Sequence, residues 1–137
     1  MVKIYDYLCE DAKAIREKVF VAEQGFQNEF DEWDDKVMHA VLFLDGQAVG
    51  TGRLLPGQQQ GSFVVGRIAV LQEYRGRHFG EQIMQALELE AVKAGGITIS
   101  LSAQCQASGF YRTLGYVECG EPYLDEFCPH ILMEKAL

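Results

Sequence analysis

The sequence has no C-x-x-C pair, no long apolar run and few bases, and each shortage removes a class of protein. Its four cysteines, Cys9, Cys105, Cys119 and Cys128, are scattered, and with three histidines they complete no ligand spacing typical of zinc. Reduced thiols and no bound metal are expected. The longest unbroken apolar run, Ala40 to Leu44, is five residues, against the ~18 that a membrane-spanning helix needs. No basic segment leads into an apolar stretch at the N-terminus, so no secretory signal is read and a cytoplasmic location is expected. Lys and Arg number 12 against 20 Asp and Glu, giving a formal charge of −8 and a pI near 4.8. That balance opposes non-specific binding to nucleic acid or anionic lipid.

What is present is material for a core: 137 residues, 48% hydrophobic and 11% aromatic, enough for one domain spanning 1–137. Residues 2–7 read as a strand. Leu8, Ala12, Ile15 and Val19 recur at helical spacing, which predicts a helix from Asp11 to Glu23. Residues 38–44 and 47–55 are β-rich, and Asp45-Gly46 between them is a hairpin signal. Ser62 to Val70 extends the same antiparallel sheet. Phe79, Ile83, Met84, Leu87 and Ala91 form one face of a second helix, stopped by Gly95-Gly96. Ile97 to Ala103 then reads as a strand reached by a crossover, which implies a parallel pair. A short helix over 107–114 ending at Gly115 and strands at 116–120 and 130–135 complete a β-α-β-β-β-α-β-α-β-β order. The fold class expected is α/β, one mixed sheet with flanking helices.

Charge is unevenly placed. Glu23, Glu29, Asp31, Glu32, Asp34 and Asp35 fall in one stretch without a base, whereas Arg67, Arg75, Arg77 and His78 share a stretch with only Glu73. In the second stretch, Gly76 and Gly80 precede a helix whose first-turn N–H groups and dipole suit an anion, to which Arg75 and Arg77 add charge. A phosphate-bearing ligand fits, and so does an ordinary glycine turn with surface arginines. No Gly-Lys-Ser/Thr ends the loop, so it is no Walker loop, and its strand belongs to a meander instead of a Rossmann unit.

Arg67-Ile68-Ala69-Val70 followed by Arg75-Gly76-Arg77-His78-Phe79-Gly80 resembles the Q/R-x-x-G-x-G/A signature of the GNAT superfamily of N-acetyltransferases, with His78 at the middle glycine. Ala107-Ser108-Gly109-Phe110-Tyr111-Arg112-Thr113-Leu114-Gly115-Tyr116, with Gln104 ahead of it, is similar to the family's second signature, N-x-x-A-x-x-F-Y-x-x-x-G-F. Val19 to Gln24, Asp31 to His39, Leu101 to Gln104 and Pro129-His130 resemble the ElaA-like group. The last loop, Glu126-Phe127-Cys128, departs from the group's D-G-I-P-H.

The resemblance implies a central antiparallel meander and a parallel pair that splays at the site of acetyl-CoA. The pantetheine arm would pair with Ile68, Ala69 and Val70. The pyrophosphate would rest on Arg75, Gly76, Arg77, His78, Phe79 and Gly80, with Gln104 and Tyr111 on the far side. An amine attacking a thioester needs a donor for the developing oxyanion and a proton for the leaving thiolate. A backbone N–H near Val70, freed by a bulge, would serve the first, and Tyr111 matches the family's general acid. For the base the order is Glu23, His130, His39, with a water chain as an alternative. The acceptor implied is a small-molecule or peptide amine, and the acidic run is either its electrostatic lure or a solvated loop. Cys105 is read as a small buried hydrophobe more readily than as an acyl carrier. A non-catalytic acyl-CoA-binding module is the competing function, and a homodimer through the sheet edge or the C-terminal strands is the assembly to test.

Overall fold

The structure, a computed structural model, describes residues 1–137. The elements are β1 (Val2–Tyr5), α1 (Glu10–Arg16, continued by a π-helical segment Glu17–Glu23), β2 (Met38–Leu44), β3 (Gln47–Pro56), β4 (Ser62–Val70), α2 (Phe79–Lys93), β5 (Thr98–Gln104), α3 (Ser108–Thr113), β6 (Val117–Asp125) and β7 (Cys128–Ala136). They form one seven-stranded mixed sheet in the order β1-β2-β3-β4-β5-β7-β6, in which only β4 and β5 are parallel. No helix is long and apolar enough to cross a membrane.

Local chemistry accounts for most of this. Asp45 and Gly46 both take positive φ (51° and 80°) in a two-residue loop that pairs Leu44 with Gln47, the twist-matched hairpin turn that Asp-Gly favours. In β2, Ala40 and Leu42 join the larger core with α2 while Val41 joins Ala12 and Cys9 of the α1 side. All three are at most 1% exposed, so helices cover both faces. Gly52 lets α2 approach: a Cβ there would lie 2.5 Å from Ile68 Cδ1 and 2.9 Å from Leu87 Cδ1.

Two segments differ from expectation. The first helix loses α geometry at Glu17, where i→i+5 bonds such as Gln24 N–H to Val19 O widen its last turns. The C-terminal strands are longer than 116–120 and 130–135, and join in a hairpin over Glu126 and Phe127. The strand expected over 116–120 ends at Gly120, two residues before Pro122. Gly120 and Pro122 sit instead at a bulge between Cys119 and Tyr123 on the edge strand, where proline forfeits no ladder bond.

Candidate active site

A notch opens where β4 and β5 part. They pair from Ser62–Thr98 to Val64–Ser100 and no further, while β5 continues with β7 to Gln104–His130 and β4 with β3 to Val70–Gly50. The edge of β4 beyond Val65 is left without a strand partner. The resulting cleft encloses about 250 Å³, and Gly66, Arg67, Ile68, Gln104, Tyr111 and His130 are among its lining. A bulge lies inside it: pairing jumps from Thr51–Ala69 to Arg53–Gly66, and Arg67 takes φ +54°. It falls at Arg67-Ile68, earlier in the strand than the expected break near Val70. Of the three strand residues expected against a pantetheine arm, only Ile68 is among the cleft's lining, and its side chain packs toward Gly52 and the larger core. Ala69 is buried against the end of α1, and Val70 packs on the larger core.

The loop before α2 leaves a run of backbone amides open, and its charges are used differently from what the sequence suggested. No protein acceptor engages the N–H groups of residues 76–81, and Gln82 is the first to bond back, to His78 O at 3.2 Å. Gly76 and His78 both lie in the left-handed region, at φ 78° and 65°. His78 thus adopts the conformation the motif's glycine would supply, with its imidazole 82% exposed near Glu81. Gly80 abuts α3, since a Cβ there would come 3.2 Å from the Phe110 ring. Arg77 lies over the Phe79 ring, 5.1 Å from its centroid.

Arg75 is not the free cation expected in that loop. Its guanidinium forks onto Glu23 at 2.7 and 2.8 Å, and its Nε donates to Val70 O at 2.9 Å. The same pair corrects the first choice of base. The Arg75 hydrogen bonds hold Glu23 below the usual carboxylate range, and Glu23 is not among the residues of the notch.

Tyr111 and His130 both line the cleft. The Tyr111 ring stands edge-on to Phe110 and Tyr116, at 5.0 and 6.1 Å, and its hydroxyl has no protein partner. Burial pushes its pKa up to about 12, so the phenol stays protonated at any physiological pH. His130 is 6% exposed, and its Nδ1 lies 2.9 Å from Cys128 O. A carbonyl only accepts, so Nδ1 carries the proton and Nε2 presents a lone pair. Gln104 ties the end of β5 to α1, donating to Gln24 Oε1 at 2.8 Å while accepting from Gln106. Cys105 packs against the larger core as a hydrophobe.

His39 and three acids of the run, Glu29, Asp31 and Asp34, turn toward buried arginines, which sequence reasoning missed, while Glu32 and Asp35 stay exposed. Arg16, fully buried on α1, donates to Glu29 Oε2 at 2.8 Å and to both Asp34 oxygens at 2.6 and 3.2 Å. Arg53 grips Asp31 at 2.8 Å and Asp34 at 2.9 Å. Arg67 reaches Glu29 Oε2 at 3.1 Å, the Glu29 carbonyl, and Asp31. Three arginines thus face three carboxylates. His39 is sealed beside them, donating Nε2–H to Asp34 O at 2.7 Å with Nδ1 unpartnered, and burial holds its pKa down. It is therefore removed from the candidates for the base. The only hint in the sequence was Arg16, a charge one residue beyond the apolar Ile15 in an otherwise amphipathic helix.

Comparison with known proteins adds four findings. Residues 6–137 match the family described as the acetyltransferase (GNAT) domain. The chain is 35% identical to YyaT of Bacillus subtilis, over 93% of this chain and 88% of that protein. An acyl-CoA N-acyltransferase from Pseudomonas aeruginosa superposes with a TM-score of 0.85 at 30% identity, covering 99% of each chain. Escherichia coli ElaA shares the fold, with a TM-score of 0.84 at 24% identity over 98% of this chain and 99% of its own.

Proposed function

The chain belongs to the GNAT acetyltransferase family, and from that premise we propose that it moves an acetyl group from acetyl-CoA to a primary amine by direct attack. The observation that carries the reading is a notch holding an unpaired strand edge and two partnerless proton-transfer groups, Tyr111 Oη and His130 Nε2, with a run of unpartnered amides at the start of α2, where Gly80 abuts α3. The residues fit the cosubstrate. An extended pantetheine arm can add to the edge of β4 as a further strand, and the amides of residues 76–81 at the start of α2 can hold a pyrophosphate. Acetyl-CoA supplies the thioester.

His130 Nε2 takes the proton that an ammonium must lose before it can attack. A new N–C bond then forms as the C–S bond breaks, and the nitrogen sheds its second proton, which restores the phenol once Tyr111 has protonated the sulfur. Tyr111 Oη delivers its proton to the departing sulfur, and the β4 bulge beside Arg67 and Ile68 leaves backbone donors for the oxyanion. Glu23 and Arg75 act together as a brace between the end of α1 and the end of β4.

The test is a screen of amines with acetyl-CoA, read by free thiol release, followed by Tyr111→Phe on the best acceptor. Turnover should fall by about 100-fold with acetyl-CoA affinity unchanged, because the ring contacts with Phe110 and Tyr116 remain. In wild type, Tyr111 should impose no loss of turnover on the alkaline side until near pH 12. Full turnover in Tyr111→Phe with chemistry rate-limiting removes the acid assignment. Thermal stabilisation by acetyl-CoA with no thiol release from any amine makes the protein an acyl-CoA-binding module instead.

A further inference from the structure

We infer that the acceptor is a small zwitterion, an amine that also carries a carboxylate, and that Arg67 is the group that recognises the carboxylate. The inference rests on the acetyltransferase reading and narrows it. An electrostatic lure for a plain cation is not what the cleft presents, because Glu29, Asp31 and Asp34 are already matched by Arg16, Arg53 and Arg67, and the exposed Glu32 and Asp35 are not among its lining. Glu23 is matched by Arg75.

What the cleft still offers is of both signs. Arg67 lines it with 27% of its side chain exposed, and all its contacts run through Nε and Nη2, which leaves Nη1 with no partner. Glu29, 5% exposed and itself at the cleft, accepts from this guanidinium through Oε2 and its carbonyl, so Arg67 is oriented before any ligand arrives, which lowers the ordering cost of binding. A planar guanidinium with free N–H groups suits a carboxylate. Across the same cleft Asp125 has no side-chain partner, and His130 keeps its Nε2 lone pair. An ammonium is matched there. An amine lacking an acid group leaves Arg67 Nη1 unanswered, and an acid lacking an amine meets Asp125 and Glu126.

The experiment compares matched acceptors by thiol release: α-, β- and γ-amino acids, their carboxamides, and the amines with the acid group removed. The inference expects kcat/KM for the best amino acid to exceed that of its carboxamide by about tenfold or more. Arg67→Gln should bring the two to within about twofold by raising KM for the acid alone, and Arg67→Lys should recover part of the preference. The wild-type ratio decides the matter even if the Arg67 variants disturb the bulge. Carboxamides or plain amines used as well as the amino acids overturn this inference and leave the acetyltransferase reading standing. Silence from every amine while acetyl-CoA still binds overturns both.

Discussion

The buried charge cluster on the α1 face and the loop before α2 are both dense in polar groups, and they treat those groups in opposite ways. In the cluster, Arg16, Arg53 and Arg67 find carboxylates at 2.6–3.5 Å, with Arg16, Glu29 and Asp34 at most 5% exposed. In the loop, the amides of residues 76–81 find nothing within the protein. Polar groups saturated inside a fold position its parts, whereas polar groups left open at a cleft are free to bind. The position of a charge in the sequence does not separate the two cases. The acidic run was open to two readings, a lure or a solvated loop, and three of its acids, Glu29, Asp31 and Asp34, are instead mortar between α1, β3 and β4.

Removing one member of the cluster is the sharpest way to break this contrast. Arg16→Met should cost about 3–5 kcal/mol, because Glu29 and Asp34 stay buried with fewer partners, a large share of the ~5–15 kcal/mol that holds a domain together. Urea denaturation should show it, and the melting temperature should fall by ~10 °C or more. A midpoint within experimental error of wild type would mean the cluster does not hold the fold.

A milder change probes the other side of the comparison. His78→Gly replaces a left-handed histidine with the residue suited to φ 65°, relieving strain of about 1–2 kcal/mol, less the extra unfolded-state entropy of glycine. Stability should rise slightly and acetyl-CoA affinity should hold, since the exposed imidazole is not needed for the amides to bind. Calorimetry showing a marked loss of acetyl-CoA affinity would make the imidazole a phosphate ligand and the loop less purely a backbone site.

The smallest effect concerns pH. Burial, with Arg16 and Arg53 also opposing a further positive charge, depresses His39 below its ordinary value. The unfolded chain therefore takes up that proton first. His39 contributes stability above its unfolded pKa of about 6.5, and that contribution is lost as the pH falls below it toward the folded value. Asp31 and Asp34, also depressed, extend the loss at lower pH, below the unfolded carboxylate value near ~3.9. Between pH 7.5 and 5.5 the denaturation midpoint of wild type should drift down, and that of His39→Gln should drift less. Equal slopes would assign the drift to other groups.

The legible features were those whose cause is local. The turn at Asp45-Gly46 needs two positive φ values, and that dipeptide tolerates them. The apolar stripe of α2 repeats at the helical period, and the span of β4 emerged as read, at Ser62–Val70. The β6–β7 hairpin was misjudged because glycine and proline mark a bulge as readily as a strand end. Within the site, Tyr111 and His130 line the cleft that their motifs suggested, while Glu23 and Arg75, read as base and phosphate ligand, hold each other.

By itself the sequence determined the element order, the hairpin and crossover connections, and a loop of glycines and open amides ahead of a helix. Periodicity and backbone preference act over a few residues, and that is the range over which a sequence can be read directly. Tertiary structure alone decided which charges stay available. Glu29 reaches arginines 13 and 38 residues away, and Glu23 reaches one 52 residues away. A charge removed from water must be paired where it lies, and where it lies is settled only when the sheet has closed and α1 has packed upon it.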